Sequence, residues 1–273
     1  MAVFNKKIDV NLIPEYTLHE TMDTLARENP HQRDEHISFD EPTHTYTIDG
    51  DSSYTSVTTW NHSHFEEFDA DKVIAGMMAR PNWPDNKYYG QTPEEIKAGW
   101  EKNRVAAAEA GTKMHYDIEC YYNRLPVSNE SEEYMQFMKY QEEHAADFKP
   151  YRTEWTVWDK ELMLAGSIDM VYENPDGTLM IYDWKRSKGI VRNKRFETYS
   201  KTECIKHLPD TNFWHYSLQL NTYKAILEKC YGKKVTKMCL VCLYPGQRSY
   251  KLFEVPPLDD EISQLFALRK SQL

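Results

Sequence analysis

Hydrophobic and polar positions follow two different periods along this chain, and the change between them divides it. To about position 36 the residues are polar and mixed, with one helical stretch near Leu18–Arg27. Alternation then begins. Tyr46 and Ile48 interleave with threonines and Asp49-Gly50-Asp51 supplies a turn, which predicts a β-hairpin followed by a strand or a helix start. Phe65 to Met78 has helical character, and Pro81–Gln91 is a loop rich in turn formers and aromatics. Thr92-Pro93-Glu94-Glu95 reads as an N-cap, a proline at the first helical position and acids in the first turn. The helix it opens is expected to run to about Ala110. Gly111-Thr112 is expected to interrupt it, with a new helix over TKMHYDIECYYN. There Met114, Ile118 and Tyr121 make an apolar stripe, and Thr112, His115, Glu119 and Tyr122 a neighbouring one. Glu130 to Ala146 is a further amphipathic helix carrying Tyr134, Phe137 and Met138 inward.

From Tyr151 the period becomes two. Strands are expected over Thr153–Trp158, Leu162–Tyr172 and Leu179–Trp184, joined at Asp159-Lys160-Glu161 and Asn174-Pro175-Asp176-Gly177, so that the three form an antiparallel meander. A long amphipathic helix, Phe213–Tyr231, precedes a buried strand, Val235–Tyr244. Tyr250–Val255 is a further strand and Asp259–Lys270 a closing helix. Helices followed by a meander, a helix and a strand predict an α/β or α+β core.

Composition changes this picture little. The 273 residues are 40% hydrophobic and 28% charged, which suits a soluble globular protein, and no apolar run approaches a membrane span. Five irregularly spaced cysteines and no secretory apolar segment predict a reduced, intracellular protein. Cys239 and Cys242 lie in an apolar strand and read as core residues rather than iron–sulfur ligands. A net charge of −10 argues against global attraction to nucleic acid. Local charge differs: Lys185, Arg186, Lys188, Arg192, Lys194 and Arg195 form a basic run with no acid among them. Trp83, Tyr88, Tyr89 and Trp100 flank the helix before the core; packing accounts for most such rings, although stacking on a single strand is open to them.

Four features carry chemistry. His115 and Glu119 share a helical face. Asp169 lies inside the second strand of the meander. Asp183 and Lys185 share a face at the end of the third, with Trp184 opposite. Gln219 and Tyr223 sit one turn apart on the following helix. Taken singly these are a satisfied histidine, a surface ion pair and ordinary helix residues. Together they suit phosphodiester hydrolysis, which needs an activated water and stabilisation of an anionic pentavalent state. Mg²⁺ can supply both from carboxylate, carbonyl and water oxygens, and a histidine admits Mn²⁺.

The motifs resemble those of the PD-(D/E)XK nuclease superfamily, in the branch of RecB-type and mitochondrial or phage-type DNA exonucleases. That branch orders G-x-x-x-H, G-x-x-D, D-x-K and Q-x-x-x-Y, matched here by Gly111–His115, Gly166–Asp169, Asp183–Lys185 and Gln219–Tyr223. His44-Thr45-Tyr46 through Gly50 and Ser56-Val57-Thr58 resemble a segment ahead of that core. The resemblance spans about residues 40 to 245, and no proline precedes Asp169.

The resemblance implies a restriction-endonuclease-like core at 105–255, with a central mixed β-sheet flanked by helices. A helical and hairpin cap would occupy 1–104 and a C-terminal helix 256–273. It further implies a Mg²⁺- or Mn²⁺-dependent DNA exonuclease of replication, repair or recombination, a free-standing enzyme that would suit a virus, phage or mobile element. His115, Asp169, Asp183 and the Trp184 carbonyl would be metal ligands and Lys185 catalytic. Glu154 matches a frequent acid, and Glu119 would stand behind the ligands. Gln219 and Tyr223 would position the DNA backbone or the strand holding Lys185, and Ser56, Thr58, Arg186, Lys188, Arg192, Lys194 and Arg195 would meet the DNA. Two other readings keep the same core: a structure-specific endonuclease or resolvase, and a nucleic-acid-binding module without activity.

Overall fold

The structure is a computed structural model that describes residues 23–194 and 198–273. The expected helix at Leu18–Arg27 falls partly outside these residues; within them a short helix, α1, spans Thr24–Glu28. A hairpin follows, β1 (Ile37–Asp40) and β2 (Thr45–Ile48), and then β3 (Thr55–Ser56) runs into α2 (Val57–His62). Next come α3 (Ala70–Met78), α4 (Pro93–Tyr122) and α5 (Glu132–Glu143). The β-rich part is β4 (Lys149–Asp159), β5 (Leu164–Glu173) and β6 (Leu179–Arg186), then α6 (Asn212–Cys230), β7 (Val235–Leu243), β8 (Lys251–Glu254) and α7 (Asp259–Gln272).

The expected sheet is present and mixed. β4, β5 and β6 are the antiparallel meander, β6 and β7 pair in parallel, and β7 and β8 are antiparallel. β3 pairs in parallel with the first residues of β5. Alternation along β6 puts Ile181 on one face, against α6 residues such as Phe213, Leu220 and Ile226. Tyr182 and Trp184 enter the other face, against Met114, Ile118 and Tyr122 of α4 and Phe137 and Tyr140 of α5. The α/β class with a central mixed sheet between helices is therefore the observed one.

Two local expectations are corrected. Gly111-Thr112 does not break the helix: α4 runs unbroken for 30 residues. A helix-interior glycine costs only about 1 kcal/mol relative to alanine, and Ala106, Ala107, Ala108 and Ala110 beside it are the best helix formers. The start of α4 is as expected, with Thr92 Oγ1 accepting from Glu95 N at 3.2 Å and Glu95 Oε2 accepting from Thr92 N at 2.7 Å. The second correction concerns the hairpin. It closes over Glu41–His44, where His44 takes a positive φ of 52°, because the partner of β2 is the upstream strand β1. Asp49-Gly50 does turn the chain, but into a single bridge between Ile48 and Asp51.

No helix among the described residues is long and apolar enough to cross a membrane. Cys239 and Cys242 are buried on β7; Cys120, Cys204 and Cys230 lie apart on other elements.

Candidate active site

The site forms where two neighbouring strands part. The β5–β6 ladder pairs Glu173 with Leu179 and continues only as far as Met170 with Tyr182. The next residues, Asp169 and Asp183, face each other where the ladder ends. Beyond them β5 takes β3 as its neighbour, at Leu164 and Ala165. The backbone amide of Trp184, which the ladder leaves free, donates to Asp169 Oδ2 at 2.9 Å. The Asn174–Gly177 turn thus fixes the register that brings the two carboxylates together.

Three further elements converge on this gap. Glu154 lies on β4 between the Thr153↔Met170 and Trp155↔Ile168 partners, and so opposite Asp169. Its φ of 42° is in the left-handed region, a conformation costing about 1–3 kcal/mol for a residue with a side chain. Its carboxylate accepts from Ser167 Oγ at 2.8 Å. His115 reaches in from α4, held by Met114 and Ile118 packing beneath it. Its Nε2 donates to the Trp184 carbonyl at 2.9 Å, which leaves Nδ1 facing Asp169 Oδ2 at 3.5 Å and Glu154 Oε1 at 3.7 Å. Ligand atoms of His115, Glu154 and Asp169 all lie within 4.8 Å of one another.

Asp183 is outside that trio. Its side chain is 2% exposed and lies against Lys185 Nζ at 2.7 Å. The contact is close but poorly aligned, and Asp183 Oδ2 has no hydrogen-bond partner among the described residues. Lys185 Nζ also sits 4.5 Å from the centre of the Tyr216 ring. Asp183 and Lys185 share one face as the alternation predicts, and Trp184 is buried on the other.

The charges are mutually dependent. Burial pushes the Asp169 carboxyl up to about 7, and the negative charge of Asp183 adds to this. Burial would lower His115, but the carboxylates of Asp169 and Glu154 outweigh it and raise the imidazole to about 9. Glu154 moves the other way: burial opposes ionisation, and hydrogen bonding and charge from His115 overcome it, lowering the group. For Lys185 burial also opposes the charged form, yet Asp183 and then Asp169 raise it, so the ammonium is retained. One turn from His115, Glu119 is pushed up to about 8 by burial, then by the charges of Glu154, Asp23 and Glu41.

This donor set fits a hard divalent cation. Carboxylate oxygens crowd one another, one buried oxygen of Asp183 lacks a hydrogen bond, and a single imidazole nitrogen faces the group. A cation among them would favour the ionised Asp169 against burial and the charge of Asp183, and oxygen-rich sites with one imidazole suit Mg²⁺ or Mn²⁺. The Trp184 carbonyl already spends one lone pair on the imidazole, which orients His115.

Gln219 and Tyr223 approach from α6. Gln219 Nε2 donates to Thr58 Oγ1 at 3.3 Å and to Tyr223 Oη at 3.4 Å. Tyr223 is buried against Gly166. A Cβ at that glycine would stand 2.7 Å from Tyr223 Cε1 and 2.8 Å from its Oη, so the glycine of one motif makes room for the tyrosine of another. Ser56 caps α2, accepting from Thr59 N at 3.0 Å.

The basic run is dispersed. Arg186 Nε donates to Glu133 Oε1 at 2.7 Å in a largely buried pair. Arg192 lies over Phe213 at 4.2 Å and donates to the Glu254 carbonyl, and Lys194 Nζ donates to the Asp210 carbonyl at 2.6 Å. Lys188 is exposed, and Arg195 lies outside the described residues.

Three neighbours of the site escape the sequence reading. Ser167 is two residues from Asp169 on the same strand. Tyr216 stands three residues before Gln219 and seven before Tyr223, a helical spacing that could have identified it. Tyr46, from the hairpin, hydrogen-bonds the Ser167 backbone near Glu154 and Asp169; only tertiary packing brings it there.

The family description "PD-(D/E)XK nuclease superfamily" matches residues 62–270. No curated protein sequence matches the chain. Among solved structures it is similar to SSO0001, at 12% identity and a TM-score of 0.35, covering 94% of this chain and 87% of that one. It is also similar to a protein from Eubacterium rectale described as a "putative exonuclease", at 13% identity and a TM-score of 0.33, covering 80% and 78%.

Proposed function

The chain belongs to the PD-(D/E)XK nuclease superfamily, and from that premise we propose that it hydrolyses DNA phosphodiester bonds from strand ends, with Mg²⁺ or Mn²⁺. Nucleases of this superfamily use divalent metals. The observation that carries the reading is the convergence of His115, Glu154 and Asp169 within 4.8 Å beside the Asp183–Lys185 pair.

In this reading His115, Asp169, Asp183 and the Trp184 carbonyl hold the cation, with Glu154 beside them and Glu119 behind His115. Such a cation supplies positive charge against the phosphodiester and makes water a stronger nucleophile. Lys185 keeps its proton through its acidic neighbours, so it serves as a hydrogen-bond donor to the charge that develops on the attacked phosphate. Gln219 and Tyr223 set the outer wall of the site. Ser56, Thr58 and the basic residues Lys188, Arg192, Lys194 and Arg195 contact the DNA backbone, while Arg186 is held by Glu133. The cap (1–104), core (105–255) and closing helix (256–273) are its working parts. Residues 101–110 of α4 are exposed on nearly every side, and Gly111 lies one turn before His115. The preferred substrate in this reading is a single strand or frayed end.

The test is digestion of end-labelled linear and circular DNA with metal varied. Stepwise loss of linear DNA, with circular single strands intact, is the expected result. Cutting of the circle would replace the exonuclease with a structure-specific endonuclease. No cleavage of any substrate would leave a binding module.

A further inference from the structure

On one side of the site, two helices present matched rows of polar residues. On α6, His215, Gln219 and Tyr223 follow one another at four-residue steps and so share a face; on α2, Thr58 and His62 do the same. The rows meet. Gln219 bonds Thr58, and the rings of His62 and His215 lie 5.7 Å apart one turn further out. The inner end of this track is Tyr223 against Gly166, three residues from Asp169. The outer end is an imidazole pair that none of the motifs explains.

The two imidazoles are held differently. His215 is fixed: its Nε2 pairs with Asp210 Oδ1 at 2.8 Å, and Phe65 packs on its ring at 4.0 Å. His62 is exposed, and its side chain has no hydrogen bond or ion pair among the described residues. Lys185 and Lys194 bring positive charge to the pair, with Asp210 opposing it at His215. Burial and then the charge of Lys185 lower the His62 imidazole. His215 is lowered first by burial, against the pull of Asp210, with His62 and Lys194 adding to it. Burial says nothing of the sign of the local field, but the Lys185 ammonium near His62 favours an anion beside it. Tyr216, next to His215 in sequence, lies under Lys185 Nζ, and the charge of Lys185 is felt at His62.

We propose that His62, backed by His215 and Asp210, is a substrate-positioning residue that donates a hydrogen bond to the phosphate adjoining the scissile one on the same strand. This rests on the nuclease reading above. Neighbouring phosphates on one strand are about 6–7 Å apart, a spacing set by the nucleotide repeat, and the track offers polar groups at one-turn steps of about 6 Å. His62 thus holds the strand in register and does not touch the reacting atoms.

The experiment walks a single methylphosphonate, which removes one phosphate's charge, along a short single-stranded oligonucleotide. Wild type, His62→Ala and His62→Gln are compared by anisotropy in chelator and by cleavage with Mn²⁺. One position next to the cleaved bond should cost the wild type about tenfold in affinity, the size of one charge-assisted hydrogen bond, and cost His62→Ala nothing further. His62→Ala should raise KM by the same factor with kcat within about threefold, and His62→Gln should recover part of it. Losses that add independently at every position, or an unchanged KM in His62→Ala, would overturn the proposal. Wild type that binds the oligonucleotides and cuts none refutes the nuclease reading alone, since the binding walk still decides the role of His62. Wild type that binds none refutes both.

Discussion

Gly166→Ala tests the joint between two motifs. Ordinary contact begins near 3.4 Å, and a Cβ at 166 would lie 2.7 Å from Tyr223 Cε1 and 2.8 Å from Tyr223 Oη. The ring would have to retreat by about 0.7 Å, the shortfall in that contact. Tyr223 is 2% exposed, so the ring has no free space to enter. Overpacking of this kind costs about 1–3 kcal/mol, or a fall in Tm of about 2–10 °C for a chain of this length. Retreat also disturbs Gln219 and the strand that carries Ser167 and Asp169, so cleavage should fall about tenfold or more. Thermal unfolding and metal-dependent cleavage are measured for Gly166→Ala, Tyr223→Leu and the double variant. Because leucine ends short of the clash, the double variant should be more stable than the sum of its parts by about 1 kcal/mol or more. Wild-type Tm and cleavage in Gly166→Ala, or strict additivity in the cycle, would refute the close approach.

Asp183→Asn removes a buried carboxylate charge beside the site; calorimetry should find Mn²⁺ affinity reduced by at least about tenfold, and unchanged affinity contradicts the assignment. Lys185→Ala leaves Asp183 buried without its cation. The metal-free protein should lose up to about 3 kcal/mol, added Mn²⁺ should restore much of the Tm, and cleavage should be abolished while DNA binding largely persists. Retained cleavage would remove Lys185 from the mechanism. His64 is buried, with Nδ1 3.0 Å from Thr202 Oγ1, and burial followed by the charge of Lys201 lowers its imidazole to about 4. The unfolded chain therefore takes up this proton first. The contribution of His64 is present above pH about 6.5 and is lost as pH falls toward 4, by at most about 3 kcal/mol. His64→Gln should show a shallower fall in stability over that window, and parallel curves for the two proteins would refute the assignment.

Short-range regularities in the chain are enough to determine part of this site. Alternation places Asp183 and Lys185 on one face with Trp184 on the other. A turn of fixed length sets Asp169 across from Asp183, and four-residue steps align Gln219 with Tyr223. These depend on one strand, one hairpin or one helix, so their geometry is written in consecutive residues. Charge pairing is not written that way. Arg186 looks like part of a DNA grip until Glu133, 53 residues earlier in the chain, occupies it in the folded protein. Gly111 looks like a break when read by itself, but the alanines before it carry the helix past it. Glu154 and the orientation of His115 were decided by which side chains met where two strands separate. So were the clearance that Gly166 grants Tyr223 and the meeting of His62 with His215. Each joins elements far apart in sequence, and no local period encodes a contact that exists only once the sheet and its helices have packed.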